Sequence, residues 1–132
     1  MWLENPSVFA TEYIIETGPG DSGRDWTETV KAILGDVAQA LKQEGCRLIG
    51  HIKALAQGAT EGHLYASLVS LEQGTSIRGE LPAELRQVRL TLNLIVYGFE
   101  KDRLPELVER CVRSRLPGAV RVGPRGPSEH RP

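Results

Sequence analysis

An α+β sandwich follows from three patterns in this chain. Residues 26–41 repeat apolar side chains at helical spacing, residues 47–97 contain several runs that alternate with period two, and a helical stripe returns after residue 102. Two amphipathic helices beside such runs predict two layers: an antiparallel sheet of about four to five strands with both helices on one face, in the order β-α-β-β-β-β-α. Residues 1–117 are expected to form this single domain, and residues 118–132, rich in Pro, Gly and Arg, a flexible tail.

The first strand is expected over residues 9–16, where β-branched and aromatic side chains mix. The helix after it carries Trp26, Val30, Ile33, Leu34, Val37, Ala40 and Leu41 along one stripe. Asp25 is placed to cap the amide of Glu28, whose carboxylate can reach back as in a capping box. Gly45 suits the left-handed residue that closes a helix. Gly35 costs up to about 1 kcal/mol against alanine, so close packing on a strand is expected there.

Residues 47–54 and 63–71 read as a hairpin around a turn-rich loop at 57–62. One register keeps the faces consistent, with Ile52 opposite Ala66 and Ala54 opposite Leu64, and with His51 opposite Ser67 and Lys53 opposite Tyr65 on the other side. Residues 76–81 alternate again and should pair back, followed by a connector at 82–87 with one helical turn. Residues 88–97 then point Val88, Leu90, Leu92, Leu94 and Val96 inward and Arg89, Thr91 and Asn93 outward, so the sheet has one wet face. In the second helix Asp102 is expected to cap, Pro105 fits the first turn, and Leu104, Leu107, Val108, Cys111 and Val112 form the stripe.

The formal net charge of −1 conceals an asymmetry. From Arg110 onward six arginines face Glu129 alone, leaving the rest of the chain acidic. An acidic body with 5% aromatic residues argues against a nucleic-acid partner, because single-strand platforms stack bases on several aromatics in a basic groove. The basic end is expected to be a solvated tail. No apolar run has the length of a membrane span, and the first residues lack a signal peptide's basic and apolar regions. A cytoplasmic, reducing setting is therefore expected, with the pairing of Cys46 and Cys111 left open.

Residues 18–23 read Gly-Pro-Gly-Asp-Ser-Gly between a strand and a helix, a literal G-x-G-x-x-G. Asp21, Asp25 and Glu28 crowd the place of a phosphate, and Lys53 stands where a ribose-binding carboxylate would be. The loop is therefore expected to be a connector, with anion binding by Gly18, Gly20, Ser22 and Gly23 kept as the alternative. Cys46, His51 and His63 are the only set suggesting a metal. The register separates the two imidazoles by roughly 13 Å, too far to share an ion, so neither a metal nor a cofactor is expected. No serine sits in a nucleophile elbow and no spacing pairs carboxylates for acid–base work, so no catalytic residue is assigned.

What remains is the outward sheet face, expected to carry His51, Lys53, Tyr65, Ser67, Arg78, Glu80, Thr91 and Asn93. Tyrosine and arginine suit interface anchors, so a non-enzymatic binding or accessory module is expected, homo-oligomeric or bound to a protein partner. The alternative is a small anionic ligand held by His51 and Lys53, or a small enzyme of hot-dog-like arrangement, using the same face and the glycine loop.

Overall fold

The computed structural model describes residues 5–17, 24–59 and 62–123. Among these residues six strands form one antiparallel sheet: β1 (Ser7–Glu16), β2 (Leu48–Gly58), β3 (His63–Leu68), β4 (Thr75–Glu80), β5 (Gln87–Tyr97) and β6 (Val120–Gly123). They are hydrogen-bonded in the order β4-β3-β2-β5-β1-β6. Two helices, α1 (Trp26–Gln43) and α2 (Leu104–Arg115), pack on each other; α1 lies against β2, β3 and β4, and α2 against β1. The class is the expected α+β, with one strand more. Val120–Gly123 pairs with β1 at the sheet edge, so regular structure continues into the segment expected to be tail.

The apolar parity of β2, β3 and β5 faces the helices, whereas in β6 Val120 and Val122 are exposed. Ile52, Leu68 and Leu92 are buried, as are Val88, Leu90, Leu94 and Val96. On α1 the buried stripe is as expected except that Ala38 rather than Ala40 is fully covered. Only half of the capping box forms: Asp25 Oδ1 accepts from the Glu28 amide at 3.1 Å, while the Glu28 carboxylate pairs with Lys31 at 3.8 Å. At the other end Gly45 has φ +100°. The Cys46 amide donates to the Leu41 carbonyl and the Gly45 amide to that of Lys42, a Schellman closure. Gly35 does not mark close packing, because a Cβ there would meet nothing within 4 Å.

The hairpin register differs from the expected one by two residues. Ile52 pairs with Leu68, Lys53 with Ser67, Ala54 with Ala66 and Leu55 with Tyr65. The strand runs on through Gln57, and the Gly58 amide donates to the Gly62 carbonyl at 3.1 Å, so the connection is shorter than the turn-rich composition suggests. A shift of two keeps every side chain on its face, which is why alternation could not detect it. Upstream, Gly50 is an extra residue in the ladder: Ile49 pairs with Val96 and His51 with Ile95. This bulge lets Ile49 and Ile52, three apart, both turn to the helix side.

Two further expectations are corrected. Residues 82–86 form a turn and bend rather than a helical turn. Asp102 does not cap α2: it lies inside a 3-10 turn, Lys101–Arg103, and Arg103 occupies the cap position without a side-chain cap bond. Arg103 reaches Glu44 at the end of α1 instead, at 2.9 Å.

The described part of the basic C-terminal segment is tied to acidic residues. Arg110 donates to Glu44 at 2.6 Å, Arg115 grips Asp36 through two nitrogens at 2.8 and 3.2 Å, and Arg113 and Arg121 flank Glu109 at 3.0 and 3.7 Å. Charges that look segregated along the chain are adjacent in the fold. The four arginines among the described residues from 110 onward are each ion-paired within the fold, while Arg125 and Arg131 of the expected tail lie outside the described residues.

Candidate binding face

The face of the sheet away from the helices is assembled by register into rows. One row runs Ser76, Ser67, Lys53, Asn93; the next runs Arg78, Tyr65, Leu55, Thr91, Glu12; a third begins Glu80, His63, Gln57, Arg89. Directly paired residues share a face, so these side chains stand side by side across the strands. Ser67 and Ser76 are short and adjacent, while Lys53, Tyr65 and Arg78 around them are long. The result is a concavity of about 460 Å³ lined by Lys53, Leu55, Tyr65, Ser67, Ser76, Arg78, Thr91 and Asn93 over the backbone of Ala54 and Ala66.

Six of the eight residues expected on the polar face line this concavity. His51 and Glu80 do not. His51 pairs with Ile95 beyond the serine row, and Glu80 pairs with His63 on the far side of the Arg78 row. Leu55 and Ser76 belong to the lining and were missed, although parity alone places Leu55 with His51 and Lys53, and Ser76 with Arg78. Leu55 lies just past the expected end of the strand at residue 54; the strand continues, and the alternation sets Leu55 between Tyr65 and Thr91.

Among the described residues three cations stand on this face, Lys53, Arg78 and Arg89. Arg89 is bound to Glu12 at 2.9 Å. For Lys53 and Arg78 no carboxylate lies within ion-pair distance among the described residues. Burial pushes the His51 imidazole below its ordinary range, and the Lys53 ammonium adds to the same effect. His63 meets Tyr65 edge-on with ring centroids 5.7 Å apart, which holds the tyrosine ring at the rim of the concavity.

Large apolar side chains share the open face. Val8 is 50% exposed, Leu48 48% and Tyr65 47%, although each lies in a regular strand. At the end of the sheet where Leu48 pairs with Tyr97, Val69 and Leu71 are also exposed and line a second depression with Cys46. Cys46 Sγ lies 3.5 Å from the carbonyl oxygens of Leu48 and Tyr97, and burial pushes its thiol up. Cys111 is buried on α2, and both thiols are free.

His63 pairs with Gln57, six residues along β2 from His51, which puts the two imidazoles roughly 20 Å apart by strand rise. Among the described residues no three His, Cys, Asp or Glu side chains gather as a metal site. Gly18, Gly20, Ser22 and Gly23, the alternative anion loop, lie outside the described residues. No described helix is long and apolar enough to cross a membrane. No protein-family model matches the sequence, and neither a curated protein nor a solved structure matches it.

Proposed function

We propose that this protein is a non-enzymatic binding or accessory module that works through the open face of its sheet, and that it meets a second copy of itself there. The observation that carries the reading is the combination of half-exposed Val8, Leu48 and Tyr65 with rows of serine, threonine, asparagine and arginine on a face that no described helix covers. Exposed apolar side chains beside polar rows are the composition of a contact surface, and Tyr and Arg are the residue types enriched there. The polar groups sit in register-set rows rather than converging on one reacting point, which suits recognition more than catalysis. Static light scattering across a concentration series tests the reading. Association into a defined oligomer is expected; a monomer at every concentration, with no partner retained on purification, would contradict it.

The concavity formed by β2, β3, β4 and β5 supports a second reading, a small anionic ligand held on the same face. A thermal-shift screen against phosphorylated compounds and acyl thioesters addresses it, with a raised melting temperature expected for an anionic compound.

A further inference from the structure

We infer that the concavity is a subsite for an oxyanion, phosphate or carboxylate, carried on a flat apolar body: Lys53 and Arg78 take the charge, and Tyr65 with Leu55 takes the apolar part. The inference rests on the open face being the working surface, and adds what one region of it recognises.

Geometry and charge lead here together. Arg78 lies two strands from Lys53 and two residues along, a backbone separation of roughly 12 Å from sheet spacing and strand rise. Two long cationic side chains rooted at that distance can converge above Ser67 and Ser76, which stand between them and are too short to fill the space. Among the described residues neither cation has a carboxylate partner, whereas Arg89, the third cation on the face, is bound to Glu12. Two neighbouring positive charges without a counter-ion repel each other, and an anion placed between them removes that cost.

The remaining lining is matched to the same ligand. The Ser67 and Ser76 hydroxyls and the Asn93 amide can donate to further oxyanion oxygens, and Thr91 can do the same deeper along the Leu55 row. Tyr65 and Leu55 give the cavity an apolar wall, and His63 steadies the tyrosine ring from its edge. A volume of about 460 Å³ is ample for an aromatic or heteroaromatic acid and falls within the range typical of small-molecule sites. His51, one row away, already carries an imidazole depressed by burial and by Lys53, so an anion at Lys53 should relieve part of that depression.

The test is isothermal titration of the full chain with phenyl phosphate, benzoate, inorganic phosphate and phenol, alongside Lys53→Gln and Arg78→Gln. Both substitutions are at exposed positions, so folding is checked simply by an unchanged melting temperature. Phenyl phosphate or benzoate is expected to bind, and the tighter of the two identifies the oxyanion. Inorganic phosphate and phenol should each bind more weakly, and each substitution should weaken binding by about tenfold. The His51 ring signal should titrate at higher pH when the aromatic anion is present.

Absence of binding by either aromatic anion, binding indifferent to both substitutions, or inorganic phosphate binding as tightly as phenyl phosphate would overturn the inference. Scattering on the same samples separates the two readings. A defined oligomer that ignores every probe removes the subsite and leaves the contact surface standing, and a monomer that binds phenyl phosphate does the reverse.

Discussion

Arg89 on β5 donates to Glu12 on β1 at 2.9 Å, and the Glu12 side chain is only 9% exposed. The pair lies on the open face, in adjacent rows of the β1–β5 ladder. A nearly buried carboxylate that loses a charged partner keeps its desolvation cost, whereas an exposed one recovers water. Arg89→Ala should therefore lower unfolding free energy by about 2–3 kcal/mol. Glu44→Ala, at a more exposed site, should lower it by about 1 kcal/mol or less, with the loss shrinking further in salt. Urea midpoints on both variants give the comparison, and equal losses would contradict it.

His51 offers a titration with a fixed sign. Its folded imidazole is depressed, so between the folded and unfolded values the unfolded chain binds more protons. Stability present above about pH 6.5 should therefore decline as pH falls through the folded His51 value. Burial is the larger cause and Lys53 the smaller. In an NMR titration, Lys53→Gln should raise the His51 midpoint only part of the way to the ordinary histidine value. A complete return would mean that charge, not burial, sets it.

Two glycines should respond in opposite directions to alanine. Gly35 lies inside α1 with open space where a Cβ would go, so Gly35→Ala should stabilise by about 0.5–1 kcal/mol. At the β2 bulge, a Cβ on Gly50 would lie 2.8 Å from the Ile95 carbonyl oxygen. Gly50→Ala must shift the ladder beside His51 and should destabilise by about 1–3 kcal/mol. Thermal unfolding of the two variants checks both signs.

Much of this architecture is legible in the order of the residues. The α2 stripe of Leu104, Leu107, Val108, Cys111 and Val112 is buried as its spacing predicts, and the inward parity of β5 holds from Val88 to Val96. Periodicity reports which face a side chain takes, and it reported that well. It is blind to displacement by an even number of residues, so the β2–β3 register was set two residues off. Nor could it foresee β6, because four residues bounded by glycine and proline carry too few periods to register as a strand. The concavity depends on side-chain length across four strands, so its outline emerged only with pairing in hand, although parity alone puts Ser76 and Leu55 on the same face. The pairing of Arg110 with Glu44 and of Arg115 with Asp36 is likewise a property of helix packing, since each partner lies more than sixty residues away along the chain.

The open face as a contact surface is tested most directly by hydroxyl-radical footprinting of Tyr65 as a function of protein concentration. In a single chain that ring is half-exposed and so accessible to the radical. The account predicts that Tyr65 becomes protected as the protein associates and regains full reactivity on dilution. A tyrosine equally reactive at every concentration, in a protein that associates through another surface or not at all, would contradict it.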